Sequence, residues 1–160
     1  MAKIVKELPL SEITLRRYEK PRNLKERGLV KRVCLSLGLL NPGDSRDIIV
    51  ELLYVLIKAK KPLTLSELEK RVYKTRKRFK QNLQGITPSN ISRQLRKLKK
   101  LGIISDSNRK YSLSERLSLT EIFNEKIKPL ILEPTMERVL EYLEKADALV
   151  KSSKIEKKKG

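Results

Sequence analysis

Between Thr87 and Ile104 the chain reads TPSNISRQLRKLKKLGII. Ser89, Asn90, Arg93, Gln94, Arg96, Lys97, Lys99 and Lys100 form a row of hydrogen-bond donors with no acid among them. Donors of these types pair with phosphate oxygens and with acceptor atoms on base edges. The chemistry they offer is recognition of a polyanion. An ordinary solvated helix usually mixes signs, because interspersed acids add i,i+4 pairs and relieve self-repulsion. From Lys70 to Ser105 there are twelve Lys or Arg and no Asp or Glu, so this stretch carries +12 of the chain's +19. Such a run repels itself unless a polyanion sits against it.

A helix must hold this row. Thr87 is a good N-cap, and Pro88 suits the first helical position, where a missing N–H costs nothing. Ile91, Leu95 and Leu98 recur at helical spacing, with Leu101 one turn on, making a single narrow apolar stripe. Gly102 is placed to end the helix, and Ile103 and Ile104 begin an extended segment.

Composition narrows the function classes. The chain has 160 residues, 39% hydrophobic and 36% charged, with a pI near 10.1. That allows a compact core and favours an acidic partner, nucleic acid before an anionic membrane surface. No apolar run approaches the roughly eighteen residues needed to span a bilayer, and Ile48 to Ile57 is broken by Glu51. The first thirty residues are charged throughout, which does not fit a signal peptide. A cytoplasmic, nucleoid-associated location is therefore expected. There is no histidine, which removes His-based metal sites and Ser-His-Asp triads. Cys34 is the only cysteine, set between Val33 and Leu35, and reads as a packed small hydrophobe. Glycines occur singly, with no phosphate loop. No catalytic residue, metal or cofactor is expected. Abundant Lys, Glu and Ile with little Cys or Met resembles thermophile composition.

Along the chain, residues 1–40 read as a basic helical N-terminal extension, with helices over Leu10 to Tyr18 and Asn23 to Leu37. Leu24, Val30, Val33, Cys34 and Leu37 would point inward. From Arg16 to Arg32 eight bases face two acids, a candidate second phosphate surface. GLLNPG at 38–43 is a break with turn chemistry. A strong apolar helix follows, capped by Asp44 or Ser45 and closed before Pro62. Lys61 to Thr64 is an extended connector. Thr64 and Glu67 then form a capping box opening a shorter helix, with Leu65, Leu68, Val72 and Tyr73 buried. Between it and Thr87 lies KTRKRFKQNLQGI, longer than the three or four residues of a usual helix-turn-helix link. Either the helix continues to about Asn82 or a basic loop is inserted. Lys74, Arg76, Lys77, Arg78 and Lys80 make it an electrostatic arm suited to backbone phosphates. Ile103 to Ser105 and Lys110 to Leu113 read as a β-hairpin around Asp106 to Arg109. Asn108, Arg109 and Lys110 at its tip would reach a minor groove or a phosphate. Leu117 to Lys128 reads as a helix ended by Pro129, with Leu119, Ile122, Phe123 and Ile127 on one face. Another restarts at Pro134. In it Met136, Val139, Leu143, Ala146 and Val150 follow 3-4-3-4 spacing, with Leu140 and Leu149 beside them, two heptads of apolar seam. Residues 152–160 read as a disordered lysine-rich tail.

Residues Asp44 to Leu113 resemble the winged helix-turn-helix regulators of archaea and bacteria. The order helix, short strand, helix, helix, hairpin matches that superfamily. Ile91-Ser92-Arg93, followed by Leu95, Leu98 and Leu101-Gly102-Ile103-Ile104, is similar to the region around its third helix. The resemblance implies that Ser92 packs against the preceding scaffold helix. Ser89, Asn90, Arg93 and Gln94 would face bases, and Arg96 and Lys97 phosphates. It also implies dimerisation by a helix after the wing, through Met136, Val139, Leu140, Leu143 and Val150. The expected fold is mainly α with a small β-hairpin: a winged helix-turn-helix over 44–114, an N-terminal helical extension, and C-terminal helices over 117–151 that dimerise. The expected partners are double-stranded DNA and a second copy, without a membrane. The expected function is sequence-specific transcription regulation. The competing readings are an architectural or replication/segregation protein that coats DNA, a winged helix used as a protein-interaction module, and a binder of structured RNA.

Overall fold

The structure is a computed structural model that describes residues 7–159, with side chains described as far as Val150. Residues 1–6 of the expected leader and Gly160 of the tail lie outside the described residues. Two compact units divide the described residues, one comprising residues 13–123 and one comprising residues 7–12 and 124–159.

In the 13–123 unit, α1 spans Glu26–Ser36, α2 Ile48–Lys58, β1 Leu63–Thr64, α3 Leu65–Arg78, α4 Pro88–Lys100, β2 Ile104–Ser107 and β3 Lys110–Leu113. Helix α2 is the hub. Every residue from Ile48 to Leu56 is buried, including Glu51, because α1, α3, α4 and β3 all pack against it. That explains its near-continuous hydrophobicity: a helix covered on all sides has no polar face to keep. The three strands form one antiparallel sheet in the order β1-β3-β2, with Leu63 opposite Tyr111 and Ile104 opposite Leu113.

Helix α3 opens with both arms of its capping box. Thr64 Oγ1 accepts from Glu67 N–H at 3.2 Å, and Thr64 N–H donates to Glu67 Oε1 at 3.3 Å. Its core contacts are Leu68 and Val72, whereas Leu65 is half-buried and Tyr73 is 43% exposed. The helix stops at Arg78, and residues 79–87 form the linker, so the long connection is part helix and part loop.

Several elements differ from expectation. Residues 10–18 are not helical. There the backbone of Arg16 donates to Ser36 O at 2.9 Å, and its guanidinium donates to Leu35 O and Leu40 O at 2.8 and 3.0 Å. This extended strip caps the open carbonyls at the end of α1, where unpaired acceptors need donors. Thr14 lies against Gly38 so closely that a Cβ there would come within 2.6 Å of it, and Gly38 has φ +71. Helix α1 begins at Glu26 rather than Asn23 and packs on α2. Of its expected inward residues only Val30 and Cys34 are buried. The N-cap of α2 is Asp47, not Asp44 or Ser45, and its carboxylate makes no cap hydrogen bond.

Helix α5 spans only Leu119–Ile122, with Ser118 Oγ accepting from Glu121 N–H at 3.2 Å. Phe123–Leu132 is a widened helical segment containing Pro129, and α6 runs over Glu133–Lys159. Pro129 therefore does not end the helix. A wider i→i+5 winding tolerates a residue that has no N–H to give. Helix α6 reaches Lys159, so residues 152–159 of the tail are helical.

Candidate nucleic-acid interface

Helix α4 is fixed at both ends. Thr87 Oγ1 accepts from Asn90 N–H at 3.2 Å, with Pro88 at the first helical position. At the far end Gly102 has φ +84, Gly102 N–H donates to Lys99 O and Ile103 N–H donates to Leu98 O, both at 3.0 Å. That pair of bonds is a Schellman motif, which needs the left-handed conformation glycine supplies. Ile91, Leu95 and Leu98 are buried as the stripe requires. Ser89, Arg93, Arg96, Lys97, Lys99 and Lys100 are exposed, and Asn90, Ser92 and Gln94 are half-buried.

Asn90 uses its amide inside the protein. Its Nδ2 donates to Gly85 O at 2.9 Å, and its Oδ1 accepts from Gln94 Nε2 at 3.2 Å. Gly85 has φ +83, and a Cβ there would stand 3.1 Å from Asn90 Nδ2. The linker is thus clipped to the helix, and Gln94 is held in one orientation. Lys99 pairs with Asp106 at 2.7 Å, bracing α4 against β2. The pairing holds the Lys99 ammonium above its usual range and the Asp106 carboxyl below its own.

The hairpin turn is Asn108-Arg109, with Ser107 opposite Lys110. It is tighter than the expected turn from Asp106, because β2 runs on to Ser107. Asn108 and Arg109 have φ 53 and 60, as a two-residue type I′ turn requires. Asn108, Arg109 and Lys110 are all exposed.

The arm divides. Lys74, Lys77 and Lys80 are exposed. Arg78 is also exposed but pairs with Glu26 at 2.8 Å. Arg76 is 1% exposed and corrects its assignment as a phosphate contact. Its guanidinium donates to Asp47 Oδ1 at 3.1 Å, Glu51 Oε2 at 2.7 Å and Asn82 O at 2.6 Å. Arg27 of α1 closes the cluster, bonding Asp47 Oδ2 at 2.6 Å and Glu51 Oε1. Burial pushes the Asp47 carboxyl up, but the bonds and charges of Arg27 and Arg76 outweigh it and hold it below the usual carboxylate range. Two arginines and two acids thus join α1, α2 and α3. Sequence reasoning missed this because the partners lie far apart in the chain. The one available signal was Glu51 in an otherwise apolar helix.

An open cleft beneath α4 is lined by Arg46, Gln84, Asn90, Arg93, Gln94 and Lys97, among others. Arg46, with its side chain 92% exposed, was not singled out from the sequence, since only the fold brings the 44–48 loop beside α4. In the second unit Met136, Val139, Leu140, Leu143 and Val150 are each more than half exposed.

The family model described as bacterial regulatory protein, arsR family, matches residues 82–106, from the linker through α4 into β2. With the helix order, the sheet and the hairpin already described, that decides the fold. This is a winged helix-turn-helix. Helix α3 is its scaffold helix, α4 its recognition helix, and β2–β3 its wing. The match supports a DNA-binding transcription regulator. No curated protein and no solved structure matches the chain. Among the described residues no helix is long and apolar enough to cross a membrane.

Proposed function

We propose that the protein is a sequence-specific regulator of transcription that binds double-stranded DNA in the cytoplasm as a homodimer. One observation carries this reading: an acid-free recognition helix, fixed at both ends, that exposes Arg93, Arg96 and Lys97. Rigid placement of donors is what base readout needs, because each bidentate pair discriminates only when its geometry is held. Ser89, Arg93 and Gln94 face the bases of the major groove. Asn90 acts on them through Gln94 and the linker as well as by any contact of its own. Arg96 and Lys97 take phosphates, and Asn108, Arg109 and Lys110 of the wing take a phosphate or the minor groove. Lys74, Lys77, Lys80 and Arg46 add sequence-independent attraction. The exposed apolar face of α6, with Met136, Val139, Leu140, Leu143 and Val150, joins two copies, so that paired recognition helices meet paired half-sites.

The exposed lysines beyond α4 favour a second reading, a protein that coats DNA with little sequence preference. Selection from a pool of random duplexes, at physiological and at raised salt, separates the two. A palindromic motif enriched at both salts is the expected result. Binding without enrichment that collapses as salt rises would replace the first reading with the second.

A further inference from the structure

Beside the linker, α3 opens on a groove of about 700 Å³. Lys70, Tyr73, Lys74 and Lys77 line it from the helix, together with Glu69. Steps of three and four put these side chains on one helical face. The linker adds Leu83 and Ile86. Residues 79–87 exceed the usual helix-turn-helix link, and these two apolar side chains belong to the excess. Asn82, Gln84 and Gly85 line the cleft beneath α4 instead, and no residue lines both. The linker is pinned on either side of Leu83: Arg76 Nε donates to Asn82 O at 2.6 Å, and Asn90 Nδ2 donates to Gly85 O at 2.9 Å. The groove is therefore shaped before anything enters it, which lowers the ordering cost of binding.

We propose that this groove docks an acidic amphipathic segment of a partner protein. Two properties coincide there. Residues 44–114 leave three large apolar side chains exposed, Ile57, Tyr73 and Leu83, and two of the three share the groove. Beside them three lysines stand against one acid, a net +2, with Lys77 Nζ 5.5 Å from the centre of the Tyr73 ring. Carboxylates of the segment meet Lys70, Lys74 and Lys77, and its apolar side chains cover Tyr73, Leu83 and Ile86. Lys70 to Lys77 spans about 10 Å of helix, room for two turns of a segment read through apolar anchors three and four residues apart. Duplex DNA uses only half of this chemistry, because phosphates pair with the lysines and leave the apolar side chains in water. Single strands stack successive bases on aromatic rings, and the groove has one ring beside two aliphatic side chains. Lys74 and Lys77 thus serve the partner at contact as well as attracting DNA from a distance.

Selection of random short peptides displayed on phage, with the full chain as bait, tests the groove. Tyr73→Ala and Leu83→Ala change exposed side chains, so both variants should fold, as thermal melting will check. Recovered peptides should be acidic, with apolar residues three or four apart. A labelled one should bind Tyr73→Ala and Leu83→Ala about tenfold more weakly than wild type, the loss expected of an interface anchor. Lys70→Glu should weaken it as well, and Arg93→Ala, outside the groove, should leave it unchanged. Duplex DNA should bind wild type, Tyr73→Ala and Leu83→Ala alike. No enriched peptide, enriched peptides that are not acidic, or a peptide bound equally well by both variants overturns the proposal. Duplex binding that falls in Tyr73→Ala and Leu83→Ala overturns it too, and gives the groove to nucleic acid.

Discussion

Arg76 and Arg93 lie on consecutive helices, carry the same charge, and meet opposite environments. Arg76 is sealed between α1, α2 and α3, its Nη1 donating to both Asp47 and Glu51 and its Nε to Asn82 O. Arg93 stands in the open beside Arg46 and Lys97, on a helix without a single acid. In sequence both belong to one acid-free basic stretch. What separates them is an acid supplied from a distance: Asp47 and Glu51 reach Arg76, whereas the acid that reaches α4, Asp106, pairs with Lys99 and not with Arg93. A buried charge must be paired because desolvation is expensive. An exposed one can stay free in water until a ligand neutralises it. A basic residue therefore belongs to the interface or to the scaffold according to where the nearest carboxylate lies in space.

The strongest way to break this contrast is to remove each arginine. Arg76→Met leaves Glu51 and Asp47 buried with Arg27 and, at 3.7 Å from Asp47, the half-exposed Lys31, and truncating a buried pair typically costs about 3–5 kcal/mol. Arg93→Ala should leave stability within about 0.5 kcal/mol while weakening specific DNA binding by about 1–3 kcal/mol and relaxing preference at one base. Denaturant titration and duplex binding on both variants check this. An Arg76→Met protein that unfolds normally but binds DNA poorly would return Arg76 to the interface.

Acid should sharpen the contrast. The Asp47 carboxyl is held below its ordinary range when folded, so its contribution to stability is complete above about pH 4. It is lost as pH falls through the folded value, where the unfolded chain takes up the proton more readily. Melting followed downward from pH 6 should show wild type losing stability more steeply than Asp47→Asn. Asp47→Asn should start less stable and run flatter. Parallel curves would mean that the cluster is held by packing and not by charge.

What was legible in the sequence follows the same division between local and distant causes. The caps of α4, its stripe and Gly102 are local, each set by residues within a turn, and they appear as read. The box at Thr64 and Glu67 is local too. The ion cluster is not, nor is the extended course of residues 10–18, which is fixed by Arg16 meeting the carbonyls at the end of α1. Asp47 stands at the N-cap of α2 without capping it, because its carboxylate serves Arg27 and Arg76 instead. Pro129 misled because a proline stops an ordinary α-helix but not a wider winding.

The wing turn isolates the smallest effect. Arg109 holds φ 60, a conformation that costs an ordinary residue about 1–2 kcal/mol. Its predecessor Asn108 tolerates that region far better. Glycine at 109 would remove the strain and give back part of the gain through the greater freedom of the unfolded chain. Arg109→Gly should therefore stabilise the fold slightly, on the order of 0.5 kcal/mol by those two terms. If Arg109 meets a phosphate, the same change should weaken binding equally for all duplexes and lower the salt slope by about one. Strain held at an exposed tip, with no packing to explain an arginine there, is what a residue kept for its charge would leave behind. A variant that is more stable and binds DNA unchanged would make the wing a hairpin that closes the sheet and nothing more.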